Sequence, residues 1–209
     1  MEKATFRKIL IEQRDRIPGA EAAAASEAIA ALIFGERFWA EARSVFCFIG
    51  TGKELDTLPI AGRALAEGKI LCVPRTAPGR HMEAVPVTGA KNASEFRRAL
   101  AGWPLSFGIP EPPASYPATA AGSLDLVIVP SLAVDRQGYR LGYGGGYYDS
   151  FIAHFRTWHC KAPFFVAIQF AALIQEGPLP REDYDMRVDL VVTEKGIIIP
   201  LLDSPCSSC

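Results

Sequence analysis

Short apolar runs, alternating with helical patterns, constrain this chain more than any other feature. "SVFCFI" at 44–49, "KILCVP" at 69–74, "LDLVIVP" at 124–130, "FFVAI" at 164–168 and "VDLVVT" at 188–193 carry hardly a polar residue. A strand with one wet face alternates apolar and polar residues, whereas runs like these need cover on both faces. "GIIIP" at 196–200 closes the set, and "MEAVPV" at 82–87 is a weaker strand because of Pro86. Helical patterns lie between and before the runs. Residues 2–17 place Phe6, Leu10 and Ile17 near one face and stop at Pro18. Residues 20–34 carry a stripe of Ala22, Ala25, Ile29, Leu32 and Ile33. Residues 56–68 have Asp56 or Thr57 as N-cap, Pro59 in the first turn and Gly68 as stop. Residues 92–100 form a short helix, and 146–155 another with Phe151, Ile152 and Phe155 towards the core. The alternation predicts an α/β fold built on a mostly parallel sheet.

At 209 residues, with 49% apolar, the chain can bury a full core, and a single domain over 1–203 with a tail at 204–209 is expected. Basic and acidic residues number 22 and 23, a balance that argues against a dedicated nucleic-acid surface. No run of about 18 apolar residues suggests a membrane span, and "MEKATFRKIL" lacks the apolar centre of a signal peptide. A cytoplasmic monomer acting on small molecules is the expectation. Of the cysteines, Cys47 and Cys72 lie in apolar runs and read as core thiols. Cys160, Cys206 and Cys209 complete no disulfide or zinc pattern.

Two stretches break the alternation. Residues 101–122 hold five prolines and no clear periodicity, which predicts a long loop; Phe107 beside "GIPEPP" points to a loop lining a site. "RLGYGGGYYD" at 140–149 joins the strand ending at Pro130 to the helix starting near Tyr147. In parallel α/β folds ligands sit beyond the carboxyl ends of strands. A glycine-rich turn entering a helix offers backbone N–H groups and a positive dipole end to an anion, above all phosphate. Arg140 adds a forked cation, and Asp149 a hard carboxylate that suits Mg²⁺. "GTGKE" at 50–54 is not a P-loop, because Glu54 stands where the serine or threonine is needed, and "GYGGGY" misses the last glycine of the dinucleotide fingerprint.

"AVDRQGYRLGYGGGYYD" resembles the signature of the 5-formyltetrahydrofolate cyclo-ligase family. "KELDT" at 53–57, "VPR" at 73–75, "FGIPEP" at 107–112, "YDMRVDLVVT" at 184–193 and the Lys3–Arg7 spacing are similar to further family elements. The resemblance implies a three-layer α/β/α fold, Rossmann-like without the dinucleotide fingerprint. It also implies an ATP-dependent ligase that closes 5-formyltetrahydrofolate to 5,10-methenyltetrahydrofolate. It assigns ATP to Lys3, Arg7 and the loop Arg140, Leu141, Gly142, Tyr143, Gly144, Gly145, Gly146, Tyr147 and Tyr148, with Arg140 and Tyr148 at the reacting groups. Folate falls to Ile49, Glu54, Phe107 and the loop from Tyr143 to Tyr147, and Mg²⁺ to Asp149 and Asp185. Two rivals stand beside it: a folate-binding protein without catalysis, which would form no ADP, and a sugar-phosphate isomerase on a similar scaffold, which would need no ATP.

Overall fold

The computed structural model describes residues 2–119, 124–158 and 162–201. It opens with α1 (Lys3–Asp15), α2 (Gly19–Phe34) and a short α3 (Arg37–Glu41), which the sequence pattern does not foretell. Then follow β1 (Ser44–Cys47), α4 (Leu58–Ala66), β2 (Ile70–Ala77), a 3₁₀ turn (Pro78–Arg80), β3 (His81–Pro86) and α5 (Ala93–Ala101). A small hairpin, β4 (Leu105–Ser106) and β5 (Ile109–Pro110), precedes β6 (Leu126–Val129). The second half holds β7 (Ala133–Asp135), β8 (Arg140–Leu141), α6 (Tyr147–Trp158), β9 (Phe164–Ile168), β10 (Ile174–Gln175), β11 (Leu190–Thr193) and β12 (Gly196–Ile198).

Among the described residues, seven strands form one sheet in the order β12-β11-β9-β6-β1-β2-β3. The pairs from β11 across to β2 are parallel, and β3 and β12 add antiparallel edges. The expected strands therefore form the expected sheet. Alternate residues feed two cores. Val45, Cys47, Leu126, Ile128, Val166 and Ile168 face α2 and α4. Phe46, Val127, Val129, Phe165 and Ala167 face Phe151, Ile152 and Phe155 of α6. Every residue of β1, β6 and β11 is buried, as a sheet covered on both sides requires. Pro86 is tolerated because β3 is an edge strand.

As far as residue 119, the proline-rich stretch is more ordered than its sequence predicts; residues 120–122 lie outside the described residues. Its β4–β5 hairpin turns at Phe107 and Gly108, both with positive φ (51° and 80°). The Arg75 guanidinium then ties the stretch to β2, donating to the Pro113 and Tyr116 carbonyls at 2.8 and 2.9 Å. Thr76 Oγ1 adds a bond to Glu111 at 2.8 Å. These anchors come from another strand, so local periodicity carries no trace of them. Likewise β10-β7-β8 forms a small second sheet from two separate connections, β7 and β8 lying between β6 and α6 and β10 between β9 and β11.

The chain runs outward from β1 through β2 to β3, then returns to place β6 on the other side of β1. Beyond the carboxyl ends of β1 and β6 the connections diverge and leave a crevice. Phe48 follows β1 there, Ser131 follows β6 and Gln169 follows β9, all lining one cleft.

Candidate functional site

Helix α1 lies over this crevice and presents one stripe to it. Lys3, Arg7, Leu10 and Arg14 are spaced four, three and four residues apart, which puts them on one helical face. Leu10 is fully buried and fastens the helix, so the three cations beside it are held against the protein. Lys3 Nζ pairs with Asp185 at 2.5 Å, Arg7 Nε donates to the Gly142 carbonyl at 2.9 Å, and Arg14 Nη1 donates to the Tyr143 hydroxyl at 2.6 Å.

The glycine turn sits beneath these side chains. Gly144 and Gly146 have φ of 103° and 70°, a region that side chains with a Cβ avoid. Gly145 has no such angle, but a Cβ there would come within 2.9 Å of the Tyr147 ring. The turn opens directly into α6, whose first turn carries Asp149 and whose first N–H groups have no partner within the helix.

Under the turn lies the most unusual side chain of the site. The Arg140 side chain is 3% exposed, and its Nη2 donates to Asp149 Oδ1 at 2.8 Å. Burial lowers its pKa, against the pull of Asp149, Tyr148 and Asp185. An arginine nonetheless stays protonated. Its Nε and the Tyr148 hydroxyl are both buried without a hydrogen-bond partner. Burial also pushes the Tyr148 pKa well up. Buried orphan polar atoms cost on the order of 1–3 kcal/mol each, so two on side chains that stack, with Arg140 Cζ 5.7 Å from the Tyr148 ring centre, mark a place shaped for something else.

Asp149 Oδ1 also accepts the Met186 N–H at 3.0 Å, which brings the 182–186 turn alongside. Asp185 Oδ2 accepts the Glu182 N–H at 2.7 Å besides its lysine. Lys3, Arg7, Arg140, Tyr148, Asp149 and Asp185 thus converge from four segments of the chain. Glu54 stands on the β1 side of the crevice. Its Oε2 accepts the Thr51 N–H at 2.9 Å, closing the turn that follows Ile49 and Gly50. The Tyr143 hydroxyl bridges Glu54 and Arg14; burial and the carboxylate raise its pKa, against the arginine. Ile49, two residues past the end of β1, is buried. Phe107 is 85% exposed at the tip of its hairpin.

A model of the 5-formyltetrahydrofolate cyclo-ligase family matches residues 1–194. The chain belongs to that family. It is 28% identical to the 5-formyltetrahydrofolate cyclo-ligase of Mycolicibacterium smegmatis, over 95% of this chain and 97% of the relative. It is also 28% identical to the enzyme of that name from Mus musculus, over 79% and 76%. Its fold matches the structure of Aquifex aeolicus 5,10-methenyltetrahydrofolate synthetase with a TM-score of 0.77, at 24% identity and with both chains fully covered.

For a cyclo-ligase the donor set matters. Among the described residues no three His, Cys, Asp or Glu side chains gather into a metal cage. Asp149 and Asp185 each use only one oxygen in hydrogen bonds, leaving the other available. Mg²⁺ commonly takes one or two carboxylates and completes its shell with water and phosphate oxygens, so the pair fits. Two cations at the site escape the sequence reading. Arg14 could have been found, since it continues the stripe of Lys3 and Arg7. Arg80 could not: it lies 60 or more positions from every other loop residue in sequence, yet its side chain rests against Gly146.

Proposed function

We propose that this protein uses ATP to convert 5-formyltetrahydrofolate into 5,10-methenyltetrahydrofolate, releasing ADP and phosphate. The observation that carries the site assignment is the buried Arg140, with a free Nε, stacked on Tyr148, whose hydroxyl is also partnerless, next to a three-glycine turn. A phosphate seated on the turn would bring acceptors to these donors and face the start of α6.

The chemistry accounts for this equipment. The N5-formyl oxygen is a poor leaving group. Transfer of the γ-phosphoryl group to it breaks a phosphoanhydride bond, forms a carbon–oxygen–phosphorus link and frees ADP. N10 then attacks the formyl carbon, the carbon–oxygen bond breaks, phosphate leaves with the formyl oxygen, and N10 gives up its proton. Such transfer needs alignment and charge neutralisation more than a protein nucleophile. In this reading Lys3, Arg7, Arg140 and the loop from Leu141 to Tyr148 grip the nucleotide. Glu54 accepts from the pterin amide and amine, Ile49 and the loop from Tyr143 to Tyr147 flank the folate, and Phe107 stacks on its rings. Asp149 and Asp185 hold Mg²⁺, which would neutralise phosphate charge when bound. The site has only to admit small molecules, and a cytoplasmic monomer suits the two free buried thiols, Cys47 and Cys72.

The test is incubation with 5-formyltetrahydrofolate, ATP and Mg²⁺, followed by near-ultraviolet absorbance of the methenyl product. Absence of product across the pH range would sink the reading. Substrate carrying heavy oxygen in the formyl group should pass one labelled atom to phosphate per turnover. Unlabelled phosphate alongside normal product would refute direct phosphorylation.

A further inference from the structure

Each left-handed glycine of the turn has an arginine laid against it. A Cβ on Gly144 would meet Arg7 Cζ at 3.5 Å, and one on Gly146 would meet Arg80 Cδ at 3.5 Å and Nη1 at 3.6 Å. Arg7 comes from α1 and Arg80 from the 3₁₀ turn between β2 and β3, so the two stand on different shoulders of the loop. Arg80 is held in an unusual backbone state: its own φ is 63°, directly after Gly79 at 77°. A side chain other than glycine there is disfavoured, and such strain persists only where the surroundings impose it.

The commitments of the nearby cations separate them. Lys3 is paired with Asp185, Arg14 with Asp15 and Arg140 with Asp149. Arg7 gives its Nε to a neutral carbonyl. Among the described residues Arg80 has neither a carboxylate nor a carbonyl partner, although its guanidinium rests on the loop. A nucleoside triphosphate brings several negative charges to one spot, and uncommitted guanidinium groups are the ones free to meet them without first breaking an ion pair.

We propose that Arg80 is a phosphate-binding residue of this protein, closing the cradle at Gly146 opposite Arg7 and gripping the polyphosphate of the nucleotide. The proposal rests on the reading of the glycine turn as the phosphate site. The strained turn Pro78–Arg80 holds the side chain over the loop in advance, which lowers the entropy lost on binding.

Calorimetric titration with a non-hydrolysable ATP analogue and Mg²⁺, and separately with adenosine and with 5-formyltetrahydrofolate, tests it. Arg80→Ala should raise the Kd of the analogue about tenfold and leave adenosine and folate affinities unchanged. Arg80→Lys should recover part of the loss, since it keeps the charge without the fork. Arg80→Gly relieves the positive φ, so its melting temperature should equal or exceed that of the parent while analogue affinity still falls. Unchanged analogue affinity in Arg80→Ala would overturn the proposal. So would an equal loss for adenosine, or a fall in melting temperature matching the loss in Arg80→Gly, because either means that Arg80 only shapes the loop. If the parent protein binds folate but not the analogue, the phosphate reading of the loop falls and Arg80 falls with it.

Discussion

Helix α6 has an arginine–aspartate pair at each end. At the amino end Arg140 Nη2 donates to Asp149 Oδ1 at 2.8 Å; at the carboxyl end Arg156 Nη2 donates to Asp189 Oδ1 at the same distance. Each aspartate also accepts a backbone N–H, from Met186 at 3.0 Å and from Phe165 at 2.8 Å. Each arginine lies over an aromatic ring, Tyr148 at 5.7 Å and Phe165 at 5.6 Å. The differences lie in what remains unused. Asp189 divides its partners between its two oxygens, whereas Asp149 places both on Oδ1. The Arg156 side chain is 31% exposed and reaches solvent, whereas Arg140 is 3% exposed and keeps an orphan Nε. One pair is complete and fastens the helix to the amino ends of β9 and β11. The other keeps a spare donor and a spare acceptor where the strands point their carboxyl ends. Binding capacity is legible as unfinished hydrogen bonding, not as the presence of charge.

The largest effect should follow from the unfinished pair. Asp149→Asn removes the formal charge facing a guanidinium that cannot reach water, so stability should drop by about 2–3 kcal/mol. If the spare oxygen serves Mg²⁺, the metal concentration for half-maximal turnover should rise at least about tenfold, or turnover should vanish. Folate binding measured without nucleotide should change little. An unaltered Mg²⁺ dependence would remove Asp149 from the metal site.

The complete pair should behave otherwise. Asp189→Asn keeps an acceptor for the Phe165 N–H and loses an ion pair that water already screens, so about 1 kcal/mol of stability is at stake. The KM for ATP and for folate, measured on folded protein, should not move. A selective loss of ATP affinity in this variant would mean that the two ends of α6 are coupled, and the contrast drawn above would fail.

The sequence exposes the amino-end pair more readily than its partners. Arg140, the glycines and Asp149 fall within ten consecutive residues, so spacing alone suggests a phosphate turn. The buried strands were equally open to reading, though not their order, because each apolar run is bounded by polar or turn residues and its burial depends on its own composition. What stays hidden depends on closure of the whole chain. Lys3 meets Asp185 across 182 positions, Arg75 pins the proline-rich stretch from a distant strand, and Arg80 reaches Gly146 only once β3 has packed beside α6. Short elements such as α3, β7, β8 and β10 are likewise too brief to leave a period. The hydroxyl of Thr57 shows the same limit: it donates to the Phe48 carbonyl at 2.8 Å, while Asp56 caps Leu58 at 2.9 Å, a division that neither residue type announces.

A third class of buried polar group lies in the sheet, and up to pH 9 it should give the smallest effect. Cys47 of β1 and Cys72 of β2 face opposite cores, and burial pushes each thiol from 9.0 up to about 12. The folded state therefore holds these protons more tightly than the unfolded chain does. Their contribution to stability is fully present below pH 9 and is lost as pH rises from 9 towards 12. At pH 9 the loss is only about 0.4 kcal/mol per thiol, from half-ionisation in the unfolded chain. Urea melts at pH 8 and pH 9 should therefore nearly coincide, with a downward drift of the midpoint beyond pH 9. Cys72→Ala should flatten part of that drift, because it removes the ionising group while leaving the ends of α6 untouched. A drift as steep in a variant lacking both thiols would assign the alkaline loss elsewhere, with the tyrosines near Arg140 and Arg14 as the next groups to examine. Turnover should respond less than stability to the Cys72 thiol across this range, since burial alone shifts that group.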